Sequence, residues 1–99
     1  MILVRDVFQI RFGKMREALA AWKEIGNAFD NAAVKGQRRL LTDLVGTYYT
    51  LVLESTFESL SDWENFGRTT MANEQWRKKY QDAVAFTESG YREIFNIVS

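Results

Sequence analysis

Apolar and polar residues alternate from Ile2 to Phe12. Ile2, Val4, Phe8, Ile10 and Phe12 fall on one side, and Arg5, Gln9 and Arg11 on the other. A period of two predicts a strand with one buried face. Asp6 breaks the pattern, falling on the apolar side between Val4 and Phe8. A carboxylate there must be paired, protonated or open to a cavity, because burying it bare is costly. From Lys14 to Val34 the period lengthens. Met15, Leu19, Trp22, Ile25, Phe29 and Ala33 recur at steps of three and four, predicting an amphipathic helix that stops at Lys35-Gly36. A second strand is predicted from Arg38 to Val45 and a third from Thr47 to Phe57, joined by a short hairpin at Gly46-Thr47. In the third, Tyr49, Leu51, Leu53, Ser55 and Phe57 share one face. Ser61-Asp62-Trp63-Glu64 has the form of a capping box with Ser61 as N-cap. It predicts a helix with Leu60, Trp63, Phe66 and Thr70 on one side. The phase shifts near Ala72-Asn73. Asn73 is predicted to cap a second helical segment with Trp76, Tyr80, Ala83 and Val84 inward, ended by Gly90, before a last strand from Tyr91 to Val98.

The order β-α-β-β-α-β predicts an α+β chain of the ferredoxin-like kind, one antiparallel sheet with helices on one face. At 99 residues it is expected to be a single domain over 1–99. Helices cover only one face of such a sheet. The uncovered face would carry Leu3, Arg5, Val7, Gln9 and Arg11 from the first strand, and Thr50, Val52, Glu54 and Thr56 from the third. Leu3, Val7 and Val52 favour cover by a second copy through isologous pairing, which predicts a homodimer. Arg5 and Glu54 would then form a partly buried pair; as ordinary exposed charges they would contribute little.

Composition narrows the chemistry. Hydrophobic residues make up 46% of the chain and aromatics 14%, enough for a core, a ligand cavity or a buried interface. Lys plus Arg equals Asp plus Glu, at 13 each, whereas a nucleic-acid partner requires a basic excess. The basic run Arg77-Lys78-Lys79 reads as a solvated helix face. Without Cys there is no thiolate chemistry, disulfide or Cys-based zinc site, and without His the commonest general base and metal ligand are missing. No dinucleotide fingerprint, phosphate loop or EF-hand spacing is present. No apolar run approaches the roughly 20 residues of a membrane span. No membrane partner, no cofactor and a cytoplasmic location are therefore expected.

The succession of a strand, Gly13-Lys14, an amphipathic helix, a hairpin and Phe57-Glu58-Ser59 leading into Ser61-Asp62-Trp63-Glu64-Asn65-Phe66 resembles the dimeric α/β-barrel superfamily. That group includes antibiotic-biosynthesis monooxygenases, haem-degrading monooxygenases and NIPSNAP-type proteins. The resemblance covers nearly the whole chain. It implies two facing sheets in a dimeric barrel and, in each monomer, a cavity between sheet and helices. The haem degraders carry an Asn on the first strand seven residues before a Gly, then a Trp, then a His ten residues later. Asp6, Phe66 and Trp76 stand at those positions here, so the imidazole that would ligate haem iron is replaced. The resemblance therefore argues against haem oxygenation. The cofactor-free monooxygenases of the superfamily oxidise electron-rich polycyclic substrates in an aromatic-lined pocket. By that resemblance the pocket would be lined by Trp22, Tyr49, Phe57, Trp63, Phe66, Trp76 and Tyr80. Aromatics at helical spacing more often make a plain core.

Three functions follow. In the first, the protein is a monooxygenase- or isomerase-type enzyme with Asp6 as general base or polar anchor and Tyr49 or Tyr80 as hydrogen-bond donor to a substrate oxygen. In the second it binds a small aromatic ligand without turnover. In the third its interior is filled and it is a purely structural or interaction subunit; a resemblance to NIPSNAP-type proteins, whose chemistry is mostly unassigned, is compatible with the second and the third. The competing account of Asp6 is a structural pair with an Arg or a backbone N–H, or a bulge that turns it outward.

Overall fold

The structure, a computed structural model, describes residues 1–29 and 38–99. Strand β1 (Ile2–Ile10) is followed by helix α1 (Met15–Phe29), strands β2 (Arg38–Thr42) and β3 (Thr50–Phe57), helices α2 (Leu60–Met71) and α3 (Glu74–Val84), and strand β4 (Thr87–Asn96). The strands form one sheet in the order β2-β3-β1-β4, every neighbouring pair antiparallel. This is the expected ferredoxin-like arrangement, with the second helix divided in two. Among the described residues no helix is long and apolar enough to cross a membrane.

Strand alternation sorts side chains onto the two sheet faces. Val4, Asp6, Phe8 and Ile10 of β1 share the helix-covered face with Leu51, Leu53, Ser55 and Phe57 of β3, as the sequence predicts. The apolar residues of this face form two clusters. One gathers Ile10, Ala18, Trp22, Ile25, Leu51, Leu53 and Ala83; the other gathers Ile2, Val4 and Phe57, with Trp63 and Phe66 against them. The opposite face carries a ladder of alternating charge, one residue per strand. Arg39 Nε lies 2.6 Å from Glu54 Oε1, Arg5 Nε 3.4 Å from Glu54 Oε2, and Arg5 Nη1 3.3 Å from Glu93 Oε1. The Arg5–Glu54 pair thus forms within one chain. The Glu54 side chain is only 10% exposed.

Several boundaries differ from the sequence reading, each for a local reason. The strand predicted from Arg38 to Val45 stops at Thr42, and the next begins at Thr50 rather than Thr47. Between them the Asp43 carboxylate accepts from the Thr50 N–H at 3.0 Å, and Tyr49 takes a left-handed φ of 59°. The side chain thereby competes with the ladder and closes a seven-residue loop. Helix α2 starts at Leu60, and its N-cap is Ser59, not Ser61: Ser59 Oγ accepts from the Asp62 N–H at 3.2 Å. Two Ser residues offer the same cap, and the earlier one gives the helix a further half-turn. Leu60, expected inward, is exposed. Asn73 caps α3 as expected, its Oδ1 accepting from the Trp76 N–H at 3.0 Å. Gly90 does not end this helix. The cap is Ala85, and Gly90 lies inside β4 opposite Phe8, where an added Cβ would stand 2.8 Å from Phe8 Cδ1 and 3.1 Å from the Val7 carbonyl oxygen. Its role is close approach of two strands. Phe12, placed on the apolar face by its phase, lies beyond β1 and is exposed, edge-on to Tyr49. Val84 is exposed as well. The continuation of α1 to Val34, the side chains of Phe29 and Ala33 and the stop at Lys35-Gly36 lie outside the described residues.

Candidate functional site

A cavity of about 540 Å³ separates α2 and α3 from the sheet. Its walls draw on both apolar clusters: Trp22, Ile25 and Leu53 from one, Val4 and Phe57 from the other. The core is therefore divided, and the space between its halves is the candidate site. Helix α2 contributes Trp63, Phe66 and Thr70 at steps of three and four, which places them on one face. Helix α3 contributes Trp76 and Tyr80 by the same spacing. Their rings stack at 5.0 Å with an interplanar angle of 11°, and Tyr80 meets Trp22 edge-on at 5.9 Å. Phe8 stacks on Trp22 at 4.9 Å. Phe66 and Trp76, at the positions matched to the haem-degrader Trp and His, form part of the wall and leave the cavity unfilled.

Six of the seven aromatics named from the sequence thus line one cavity: Trp22, Phe57, Trp63, Phe66, Trp76 and Tyr80. Tyr49 does not. It borders a separate hollow at the end of the sheet with Phe12 and Met15, because its left-handed backbone takes it out of the β3 ladder. Sequence phase carried it only on the assumption that the strand began earlier.

Asp6 borders the cavity from β1, and β4 supplies its partner. The register sets Asp6 beside Arg92, and Arg92 Nε donates to Asp6 Oδ1 at 2.5 Å. The carboxylate side chain is 15% exposed and the guanidinium side chain 51%. Arg92 Cζ also lies 5.2 Å from the centroid of the Trp63 ring. The guanidinium is therefore held along its Nε edge by Asp6 and against an aromatic ring by Trp63. An arginine oriented this way presents paired donors to an oxyanion or carboxylate. The pair also borders a second hollow of about 360 Å³ with Phe8, Tyr80 and Gly90.

Arg92 escaped the sequence reading. It sits 86 residues from Asp6, in a strand that reads as ordinary alternation, and only the β1–β4 register brings the two together. Other wall residues not foreseen are Arg38 and Ser55 on the sheet, and Glu64, Gly67, Arg68 and Met71 on α2. Glu64 and Arg68 pair with each other at 3.7 Å, one helical turn apart. The Trp22 indole Nε1 is buried without a hydrogen-bond partner among the described residues. Among the described residues no group of three or more His, Cys, Asp or Glu is placed to hold a metal ion.

No protein-family model and no curated protein sequence matches the chain. Solved structures do. The chain has the ferredoxin-like fold of NIPSNAP-domain and antibiotic biosynthesis monooxygenase proteins. It is similar to an uncharacterized NIPSNAP domain protein from Burkholderia xenovorans with a TM-score of 0.89 at 19% identity, over 100% of this chain and 96% of that one. An antibiotic biosynthesis monooxygenase matches with a TM-score of 0.77 at 13% identity, over the whole of both chains. SnoaB, a cofactor-independent oxygenase from Streptomyces nogalater, matches at 0.76 and 10% identity, over 99% of this chain and 93% of that one.

Proposed function

We propose that this protein binds a flat aromatic small molecule between α2–α3 and the sheet, and that the bound molecule is oxidised by O2 in a cofactor-independent monooxygenase-type reaction. The observation that carries this reading is an aromatic-walled cavity of about 540 Å³ with an oriented carboxylate–guanidinium pair at its border. Ligand sites are typically apolar clefts of this size with a few fixed polar groups. Stacked and edge-on rings suit a planar guest. Asp6 is the candidate base and the Arg92 Nη edge the candidate oxyanion holder. A ring methylene activated by a neighbouring phenol or ketone loses a proton to Asp6, and the resulting enolate oxygen rests on Arg92. O2 adds at carbon, the hydroperoxide loses water, and a carbonyl remains. The cofactor-independent oxygenase among the similar structures supports this choice of chemistry.

The alternative is ligand binding without turnover, and Asp6→Asn separates the two. Titration of tryptophan fluorescence with 1-naphthol measures binding, and an oxygen electrode with anthrone as substrate measures turnover. The wild-type protein should bind 1-naphthol saturably and consume O2 with anthrone. Asp6→Asn should keep binding within a few-fold and lose about 100-fold or more in rate, the usual contribution of a positioned base. Binding without O2 uptake in the wild type would leave only the non-catalytic reading.

A second observation supports a homodimer. The sheet face opposite the helices presents Tyr91 and Phe95 of β4, 59% and 47% exposed, beside the charge ladder. Its central positions Val7 and Val52 are already buried by neighbours within the chain. Two such faces related by a two-fold axis would cover the exposed Tyr91 and Phe95 rings of both copies.

A further inference from the structure

Gly67 lies in the middle of α2, where glycine is the poorest helix former after proline. Gly26, in α1, has the Arg38 side chain 4.0 Å from where a Cβ would stand, and three other described glycines have a local reason. Gly13 and Gly46 take left-handed φ values of 81° and 139°, and Gly90 lets β4 approach Phe8. Gly67 has neither reason. Its φ is not in the left-handed region, and a Cβ built on it meets no atom within 4 Å. Yet it lines the cavity, with Trp63 and Phe66 before it and Thr70 and Met71 after it. The empty space beside Gly67 is cavity space. The helix backbone here is covered from the side by Thr70. The buried Thr70 donates its hydroxyl to the Phe66 carbonyl at 3.0 Å and lies 3.1 Å from that of Gly67. Satisfied carbonyls leave a surface on which an apolar ring can rest without stranding a polar group.

We propose that Gly67 determines which ligands the cavity admits: its missing side chain leaves a strip of bare α2 backbone against which a planar system of two or more fused rings lies. A side chain at this position would confine the cavity to single-ring compounds. The inference rests on the binding role proposed above and adds the residue that sets how large a ring system the cavity takes.

The test uses Gly67→Ala and Gly67→Leu, with phenol, 1-naphthol and 1-hydroxyanthraquinone as probes and calorimetry as readout. Both variants should melt at or above the wild-type temperature, because the new side chain enters open space and improves the helix. Gly67→Leu should weaken 1-naphthol and 1-hydroxyanthraquinone about ten-fold or more, the scale of filling a pocket by a few methylenes. Phenol should move by less than about two-fold on the same reasoning, and Gly67→Ala should fall between. Unchanged fused-ring binding in Gly67→Leu overturns the proposal. So does a parallel loss of phenol, or a lowered melting temperature in Gly67→Ala. A wild-type protein that binds none of the three compounds overturns the binding role itself.

Discussion

Gly90→Ala should destabilise this protein, although glycine-to-alanine changes in open positions usually stabilise by restricting the unfolded chain. That gain is about 0.4–1 kcal/mol. Against it stands the geometry of the β1–β4 pair. The new methyl would lie 2.8 Å from Phe8 Cδ1, 3.3 Å from Phe8 Cε1 and 3.1 Å from the Val7 carbonyl oxygen. The ring cannot simply turn aside, because it is stacked on Trp22 at 4.9 Å. The Val7 oxygen belongs to the central strand and moves only with it. Overpacking of this kind costs about 1–3 kcal/mol, which leaves a net loss centred on about 1.3 kcal/mol, and at most about 2.6, after the unfolded-state gain. At a fixed protein concentration, a urea melt should show the midpoint falling by about 0.5–1 M with an unchanged slope. The thermal midpoint should drop by about 4–8 °C per kcal/mol. Phe8→Leu removes the ring atoms but not the Val7 oxygen, so Gly90→Ala should cost less in that background, with a coupling of about 0.5 kcal/mol or more. An unchanged or raised midpoint for Gly90→Ala would refute the register of β4 on β1. The Asp6–Arg92 pairing two residues along would fall with it.

Glu54→Ala leaves Arg5 and Arg39 facing a nearly buried gap and should cost about 1–3 kcal/mol in urea melts; a loss below a few tenths would mean that the ladder is ornamental. Asp6→Asn removes an ion pair whose arginine is half in solvent, so its stability cost should stay near or below about 1 kcal/mol, with the larger effect on turnover. A multi-kcal loss with unchanged oxygen uptake would make Asp6 a structural residue. Tyr91→Glu on the open sheet face should shift sedimentation of the protein at micromolar concentration from dimer to monomer; a wild type that sediments only at 11.5 kDa would end the dimer proposal.

Periodicity in the sequence determined which residues meet the helices and which do not. Local alternation orients a strand whatever its neighbours are, so the side of the sheet occupied by Asp6, Leu53 and Phe57 was legible, as were the division at Asn73 and the facing of Arg5 and Glu54. Local chemistry alone points to the wrong residue twice: Ser61 has the capping-box pattern but Ser59 makes the cap, and Gly90 has the form of a helix stop but sits inside β4. Those choices belong to tertiary packing, since the Phe8 ring decides what Gly90 is for and the Asp43 carboxylate decides where β3 begins. The site divides along the same line. Its aromatic lining follows from helical spacing within α1, α2 and α3 and, for Phe57, from alternation along β3. The partner of Asp6 follows from a strand register spanning 86 residues, a separation over which no local pattern carries information. Whether those aromatics pack into one core or stand apart around a space depends on how far the helices ride above the sheet, a distance fixed by the contacts of the whole fold.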